Sequence, residues 1–205
     1  MLLCDVGNTS YHFLNDKGAY KEDVESFEPA KVTQKVFYIC VNQKINKNLQ
    51  SLSHWIDLSP YIDTKKYYET MGIDRMVACE AIKDGIVIDA GSAITVDLVK
   101  KGSFEGGFIY PGLKAMAQTY KNISSALDYS FNFECDLDIM PKNSQDAISY
   151  GYLKTLKSEV ISHKMQIYLT GGDAKKFVKV FESAQVDEML LFKGMKKIMK
   201  KADLC

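Results

Sequence analysis

LLCDVGNTSYHFLNDKGAY, residues 2–20, and IVIDAGSAITVDLVKKGSF, residues 86–104, are two versions of one pattern. At a constant offset of 84 positions Asp5 aligns with Asp89, and the glycine two residues later aligns as well. Each copy reads as an apolar strand ending in Asp-x-Gly, a turn of small polar residues, a second apolar strand and a Lys-Gly turn into a third. This order is typical of β-hairpins, and its recurrence predicts a duplicated architecture of two similar lobes.

Between and after the two copies, predicted strands alternate with predicted helices. Apolar runs predict further strands at 36–41, at 55–58, within 165–172 and at 188–192. Helical patterns cover 43–52, 74–83, 112–127, 144–163, 173–183 and the Lys-rich C-terminus. The stretch 128–143 has no regular pattern. The alternation predicts an α/β fold with two closely packed lobes, 1–84 and 85–205, and no linker between them.

Composition excludes several classes of protein. The 26 Lys and Arg residues balance the 26 Asp and Glu residues, so no overall field favours nucleic acid or an anionic membrane. The five cysteines form no C-x-x-C pair. The N-terminus lacks the basic region of a signal peptide, and no apolar run reaches the roughly 18 residues of a membrane span. We therefore expect a cytoplasmic protein without disulfide bonds, a zinc site, nucleic-acid partners or membrane partners.

The first repeat carries a candidate phosphate site. Asp5 ends the strand, Gly7 permits close approach of the backbone, and Asn8, Thr9 and Ser10 supply hydrogen-bond donors. The carboxylate suits a cation or its bound water. An ordinary hairpin turn is the alternative, because Asp, Gly and Asn are favoured in turns on conformational grounds alone. The aligned second copy favours the phosphate interpretation.

The second repeat has the same features in a more apolar setting. Asp89 follows the apolar run 86–88, and Ser92 and Thr95 supply hydroxyl groups. A carboxylate at the end of a buried strand needs a partner, which a metal ion, a potassium ion or backbone donors could provide. The alternative is an Asp that caps a turn or a helix.

Gly72-Ile73-Asp74-Arg75 is a third candidate, because Arg75 is the only arginine of the chain. A planar guanidinium can hold a carboxylate or phosphate through two parallel hydrogen bonds. Taken alone, the four residues are better explained by a helix N-terminus capped by Asp74, with an incidental Arg75.

Two glycine-rich segments are candidates for close approach of the backbone to a ligand. Gly106–Gly112 leads into a predicted helix, whose N-terminus could face an anion. Thr170–Asp173 follows a buried strand and contains paired glycines. Both segments are also explained by ordinary connections between strands and helices.

Five motifs in a fixed order resemble those of type III pantothenate kinase. They are DVGNT (5–9), GIDR (72–75), DAGSAITVD (89–97), GGFIYPG (106–112) and SQDAISYG (144–151). TGGDA at 170–174 extends the resemblance towards the C-terminus. The resemblance implies a duplicated ribonuclease H-like, or actin-like ATPase, fold. In that fold two similar lobes with a cleft between them present two phosphate-binding turns to each other.

The resemblance also implies roles for individual residues. Asp74 corresponds to the catalytic base and Asp89 to the ligand of a monovalent cation (K⁺ or NH₄⁺). We expect the carboxylate of Asp5 to be a ligand of Mg²⁺. The implied ATP-binding residues are Asp5, Val6, Gly7, Asn8, Thr9, Ser10, Tyr11, His12 and Ser92. The implied pantothenate-binding residues are Tyr68, Gly72, Ile73, Asp74, Arg75 and Ser144.

Three positions depart from the pattern of the family. Ser92 and Ser144 stand where the family has Thr, and each keeps a hydroxyl group. The Tyr-x-x-Pro-x-x-Leu-Gly segment that precedes Gly-x-Asp-Arg in the family is shorter here and lacks its proline. Tyr68 is therefore chosen as the tyrosine that contacts substrate, with Tyr67 as its rival.

The implied activity is ATP-dependent phosphorylation of pantothenate to 4'-phosphopantothenate, the first step of coenzyme A biosynthesis. The resemblance further implies a homodimer in which Ser144 reaches the site of the neighbouring subunit. Two alternatives remain open: another small-molecule kinase of the same superfold, or a non-catalytic regulatory protein that retains the fold. Only the pantothenate interpretation requires Asp74 and Arg75 as a unit, and a pure binding module needs no catalytic base.

Overall fold

The computed structural model describes residues 1–204, which form an α/β protein with two five-stranded sheets. These residues divide into two units. Unit 1 contains Met1–Ile82 together with the residues from Met189 onward, and unit 2 contains Lys83–Glu188. Each unit contains one of the sheets.

Ten strands and six helices alternate along the described residues. The strands are β1 (Leu2–Val6), β2 (Ser10–Asn15), β3 (Gly18–Asp23), β4 (Val36–Cys40), β5 (Trp55–Asp57), β6 (Gly85–Ala90), β7 (Ala93–Lys100), β8 (Ser103–Pro111), β9 (Ile167–Thr170) and β10 (Gln185–Val186). The helices are α1 (Gln43–Leu49), α2 (Ile73–Ala81), α3 (Leu113–Ile123), α4 (Ser144–Ser162), α5 (Ala174–Phe177) and α6 (Leu190–Lys201). Among residues 1–204 we find no helix with both the length and the apolar character that a membrane span requires.

The two sheets have the same topology. Their strand orders are β3-β2-β1-β4-β5 in unit 1 and β8-β7-β6-β9-β10 in unit 2. In each sheet the three strands of the sequence repeat are antiparallel neighbours, and the other two strands join in parallel. Parallel neighbours require a crossover, and α1 and α5 lie in the connections from β4 to β5 and from β9 to β10. The duplicated α/β fold predicted from the repeat is confirmed.

One face of β1 contributes its side chains to the core of unit 1. Successive side chains of a strand point to opposite faces, so Leu2, Cys4 and Val6 share one face. They pack there with aromatic side chains that include Phe13 and Trp55. The opposite face of this sheet lies against α2 and α6, because β4 contacts α2 and β1 contacts α6. The sheet is therefore covered on both faces at its centre.

The core of unit 2 follows the same rule. Ile86 and Ile88 of β6 lie on one face of the sheet with Leu169 of β9. Tyr152 and Leu156 of α4 pack onto this face and belong to the same buried cluster. An α/β layer of this kind leaves the ends of the strands available for turns that carry function.

The last helix, α6, is part of unit 1 because its apolar stripe packs against α2. Met195 and Ile198 on this stripe are buried. Gly194 approaches α2 so closely that a Cβ at this position would overlap the carbonyl oxygen of Val77. The boundaries 1–84 and 85–205 had assigned this helix to the second lobe. The apolar stripe was visible in the sequence, but the surface that it covers was not.

The strand predicted at 188–192 is wrong. The structure has β10 at Gln185–Val186 and places Leu190–Phe192 in the first turn of α6. The apolar run 189–192 is too short to distinguish the period of a strand from that of a helix. The helix predicted at 173–183 is also shorter than expected, since α5 covers only Ala174–Phe177.

Candidate active site

The turn between β1 and β2 is a tight hairpin with an exposed tip. The N–H of Gly7 donates to the carbonyl oxygen of Ser10 at 3.0 Å, which closes the turn. Asn8 and Thr9 form the tip and are exposed, whereas Gly7 and Ser10 are half-buried. The tip therefore presents an amide and a hydroxyl group to solvent, and both can donate hydrogen bonds to phosphate oxygens.

An asparagine pair connects this turn to α1. The Nδ2 of Asn42 donates to Oδ1 of Asn8 at 3.4 Å. The Oδ1 of Asn42 accepts the N–H groups of Lys44 and Ile45 at 3.1 and 3.2 Å, so Asn42 is the N-cap of α1. The tip of the turn and the start of α1 are thus held together by one side chain.

Two residues of the first motif have side chains in the core. Val6 is fully buried, and Tyr11 is 3% exposed with its ring 4.7 Å from that of Phe27. Burial raises the pKa of Tyr11 to about 12. Both side chains therefore stabilise unit 1, and their location leaves only backbone groups for a ligand.

Asp5 and His12 are cross-strand partners in β1 and β2. Side chains of such a pair lie on the same face of the sheet, and both residues are half-buried. The ring of His12 packs edge-on against Phe192 of α6, with 4.9 Å between the ring centroids. The first motif is therefore supported by the C-terminal helix as well as by its own hairpin.

The turn between β6 and β7 in unit 2 is the counterpart of this hairpin. Asp89 stands in the central strand of the sheet and is flanked by Thr95 of β7 and Thr170 of β9. The turn that follows, 90–93, exposes Ser92. A half-buried carboxylate, flanking hydroxyl groups and an exposed serine are thus brought to one end of this sheet.

Both glycine-rich segments border this turn. Gly171 has a φ of +89°, and a Cβ there would overlap Oδ1 of Asp89 and lie 2.6 Å from the carbonyl oxygen of Ala90. Gly112 is the N-cap of α3, and a Cβ there would overlap the carbonyl oxygen of Ser92. Glycine is required at these two positions because the chain passes directly against the turn.

The N-terminus of α2 holds the third motif. Gly72 is the N-cap, and Oδ1 of Asp74 accepts the N–H of Arg75 at 2.9 Å. The carboxylate thus folds back over the first turn of the helix, where the helix dipole favours a negative charge. Asp74 is only half-buried, so a ligand can reach it.

Arg75 is buried beside Tyr68. Arg75 is 5% exposed, its Nη1 donates to the hydroxyl oxygen of Tyr68 at 2.5 Å, and its Cζ lies 5.7 Å from the centroid of the tyrosine ring. An incidental surface arginine would be exposed. Arg75 is thus unusual in its burial as well as in being the only arginine of the chain, and Tyr68 is the tyrosine that contacts it.

Tyr67, the rival of Tyr68, points into the protein. Its hydroxyl group lies 3.3 Å from the carbonyl oxygen of Met76 and 3.2 Å from Oε1 of Glu80, and it can donate to either. Tyr67 is half-buried, whereas Tyr68 is 43% exposed. Of the two tyrosines, Tyr68 is the one that stands beside both Arg75 and solvent.

Glu80 is a buried charge that no motif of the sequence indicates. It is 7% exposed, and its Oε2 lies 2.6 Å from Nζ of Lys201 while its Oε1 lies 3.6 Å from Nζ of Lys66. Burial alone would raise the pKa of Glu80. The hydrogen bond from Lys201 and the charges of Lys201 and Lys66 outweigh burial and lower this pKa. The only signal in the sequence was one acidic residue within the apolar run 76–82.

Ser144 begins α4 in unit 2 and is exposed. The preceding Asn143 caps the helix, since its Oδ1 accepts the N–H of Asp146 at 2.9 Å. Asp146 in turn accepts a hydrogen bond from Nδ2 of Asn132 at 2.8 Å. The helix start is therefore firmly held, and the hydroxyl group of Ser144 lies on the surface of unit 2.

Within residues 1–204, no three His, Cys, Asp or Glu side chains are grouped so that they could hold a metal ion. A cation at Asp5 or Asp89 would therefore need backbone, hydroxyl or ligand oxygens as well. Oδ1 of Asp89 and the carbonyl oxygen of Ala90 both lie beside Gly171. Such oxygen donors fit a hard cation.

Comparison with known proteins links this geometry to one family of enzymes. The family model described as Type III pantothenate kinase matches residues 17–163. A Type III pantothenate kinase from Sulfurimonas denitrificans is 63% identical over 205 residues, which is 100% of both chains.

Two solved structures are also similar to the chain. A crystal structure from Campylobacter jejuni, described as a conserved candidate Baf family transcriptional activator, has a TM-score of 0.90 and 37% identity, with 100% of both chains covered. A candidate 2-dehydro-3-deoxygalactonokinase from Sinorhizobium meliloti has a TM-score of 0.57 and 7% identity, with 98% of both chains covered. The second likeness concerns the fold alone, and it agrees with the duplicated α/β fold that the motifs implied.

Proposed function

The chain belongs to the type III pantothenate kinase family, and we infer that it phosphorylates pantothenate to 4'-phosphopantothenate with ATP. This reaction is the first step of coenzyme A biosynthesis. The 63% identity to a relative named for this activity extends over the whole of both chains. The chain is thus an enzyme, a kinase that uses ATP and pantothenate as substrates.

One observation at the site supports this function above the others. Asp74 and Arg75 are neighbours at the start of α2, with a reachable carboxylate on one and a buried guanidinium on the other. Pantothenate carries a carboxylate at one end and a primary hydroxyl at the other. Arg75 and Tyr68 would hold the anionic or another polar end of the substrate, and Asp74 would face the hydroxyl group that is phosphorylated.

Asp74 would accept the proton of the primary hydroxyl, or at least orient this group. Phosphoryl transfer has a loose transition state, so positioning and charge neutralisation supply most of the catalysis. Gly72 and Ile73 complete the substrate segment through their position before Asp74. The hydrogen bond from the N–H of Arg75 to Oδ1 of Asp74 supports this assignment, because it orients the carboxylate without help from a substrate.

ATP would be bound by the two hairpin turns. The proposed residues are Asp5, Val6, Gly7, Asn8, Thr9, Ser10, Tyr11, His12 and Ser92. The exposure of Asn8, Thr9 and Ser92 supports donation by these side chains to phosphate oxygens. Mg²⁺ with Asp5 as a ligand, and K⁺ or NH₄⁺ with Asp89 as a ligand, would neutralise the negative charge of the phosphates when bound.

A cytoplasmic homodimer completes the proposal. Ser144 would contact pantothenate in the site of the neighbouring subunit, as the family resemblance implies. Its exposure at the start of α4 supports that role. The exposed apolar side chains of Ile123, Ile139 and Met140 in unit 2 are available for contact with a second copy.

A coupled assay of ADP release, with and without pantothenate, tests the function. We expect turnover that depends on pantothenate and that falls in Asp74→Asn. Bound ATP without pantothenate-dependent turnover would favour a non-catalytic regulator. Turnover with a sugar or acetate in place of pantothenate would favour another kinase of the same fold.

A further inference from the structure

We propose that Glu80 is a positioning residue of the substrate site, which anchors Tyr67 and thereby fixes the neighbouring Tyr68 on Arg75. Helix α6 would also help to position these residues, because Lys201 is a direct partner of Glu80. It rests on the proposed function, in which Tyr68 and Arg75 contact pantothenate. Glu80 itself would touch neither substrate.

The carboxylate of Glu80 connects three segments that are distant in sequence. One oxygen, Oε2, lies 2.6 Å from Nζ of Lys201 near the C-terminus. The other, Oε1, lies 3.2 Å from the hydroxyl group of Tyr67 and 3.6 Å from Nζ of Lys66. Because Glu80 is buried, the loss of a partner would leave a charge poorly compensated. The contacts of Glu80 therefore hold the segment 66–67 and α6 against α2.

The side chains of Tyr67 and Tyr68 point to opposite sides of their segment and contact different residues of α2. Tyr67 has extended backbone angles, φ −128° and ψ 159°, and successive side chains of an extended chain point to opposite sides. The hydroxyl group of Tyr67 reaches Met76 and Glu80, whereas that of Tyr68 accepts a hydrogen bond from Arg75. The position of Tyr68 is therefore coupled to that of Tyr67 through a single peptide unit.

The exposure of Tyr68 makes an anchor on the neighbouring residue useful. Its side chain is 43% exposed, and the preceding 3₁₀ turn, Thr64–Lys66, consists of exposed residues. Tyr67 is the half-buried residue next to it. A mobile Tyr68 would lose its hydrogen bond with Arg75 for part of the time, and pantothenate would bind to a less ordered site.

Tyr67→Phe tests the proposal because it removes the hydroxyl group and retains the ring. We expect the KM for pantothenate to rise about three- to tenfold, because Tyr68 becomes less ordered when the anchoring hydrogen bond of Tyr67 is lost, and a typical net hydrogen bond is worth about this factor. The KM for ATP should not change. Lys201→Met should likewise raise the KM for pantothenate and leave the KM for ATP unchanged. An unchanged value in Lys201→Met would remove α6 from the proposal.

A double-variant cycle separates positioning from simple stabilisation. If Tyr67 acts through Tyr68, the double variant Tyr67→Phe/Tyr68→Phe should have the same KM for pantothenate as Tyr68→Phe alone. A structural role alone would instead lower the melting temperature and change both KM values. Additive effects on the KM for pantothenate, or no effect of Tyr68→Phe itself, would overturn the proposal.

Glu28→Gln is the matched control, because Glu28 forms an exposed ion pair with Lys31 at 2.7 Å in the same unit. This pair contributes little, and both KM values should stay unchanged. A wild-type protein without pantothenate-dependent turnover would overturn the proposed function and this inference together. An active wild type with an unchanged KM for pantothenate in Tyr67→Phe would overturn the inference alone.

Discussion

The carboxylate of Asp74 occupies the space that a side chain at Gly72 would fill. A Cβ built on Gly72 would lie 2.5 Å from Oδ1 of Asp74. The backbone of Gly72, with φ −62° and ψ 141°, is one that any residue adopts. Glycine is therefore needed here for the room that it leaves beside the carboxylate, and not for its conformational freedom.

Gly72→Ala should fold normally but lose about tenfold to a hundredfold in kcat, because the methyl group displaces the carboxylate of Asp74 from its position. Steady-state kinetics and a melting curve would check this. Gly151→Ala is the control, since Gly151 is an exposed residue of α4 with no heavy atom near the added Cβ. The control should keep its kcat. An unchanged kcat in Gly72→Ala would show that this carboxylate need not stay where it lies.

Asp74→Asn should preserve folding and ATP binding and reduce turnover about a hundredfold or more, the usual scale for loss of a general base. The amide retains the shape of the side chain but cannot accept the proton of the substrate hydroxyl. Turnover measured beside ATP affinity by calorimetry would test this. Near-normal turnover would remove Asp74 from the mechanism.

Arg75→Lys should raise the KM for pantothenate and leave the KM for ATP nearly unchanged. Lysine keeps the charge but loses the planar fork that binds a carboxylate through two hydrogen bonds. A lost charge-assisted bond is worth about 1.5–3 kcal/mol, so a tenfold to hundredfold rise is expected. Measuring both constants is necessary, because an equal rise for ATP would contradict the assignment as clearly as no change.

Gly171→Ala should lower the free energy of unfolding by about 1–3 kcal/mol, because it places a side chain at φ +89° and against the carboxylate of Asp89. Gly172→Ala should be close to neutral, since its added Cβ meets no heavy atom within 4 Å. Urea denaturation of the two neighbouring variants would make the comparison. Equal stability of the two variants would argue against a close contact between Gly171 and the turn at Asp89 and Ala90.

Activity should require a monovalent cation in addition to Mg²⁺. Asp89 ends a buried strand, and oxygen ligands beside it suit a hard cation. The rate should therefore be high in K⁺ or NH₄⁺ and low in buffer that contains only a bulky organic cation. Equal rates in all three buffers would refute the proposed cation role of Asp89.

The hairpins and the turns of the site were predictable because their determinants are local. In each copy, the alternating buried residues of the first strand (β1 or β6) and the Asp-x-Gly turn lie within about twenty residues of each other. A turn residue also carries its own conformational preference. The start of α2 was predictable for the same reason. Gly72 and Asp74 mark a helix N-terminus, whatever else the fold contains.

The cluster around Glu80 was not predictable, because its partners are far apart in sequence. Lys201 lies 121 positions after Glu80, and no local pattern indicates that α6 packs on α2. The apolar run 189–192 was assigned to a strand for the same reason, since its partner surface was unknown. The contact of Tyr67 with Glu80 is likewise a tertiary contact that spacing does not reveal.

Because α6 belongs to unit 1, the ribosome completes the sequence of unit 2 before that of unit 1. A growing chain leaves the ribosome from its N-terminus, so α2 packs against β4 but lacks its second partner, α6, until residues 189–204 have emerged. Until then the surface around Val77, against which Gly194 later packs, stays uncovered. Unit 2 is one continuous stretch, Lys83–Glu188. Its whole sequence is therefore synthesised before residues 189–204 complete unit 1. We therefore expect unit 2 to complete its fold before unit 1, in contrast to the usual N-terminal-first order of cotranslational folding.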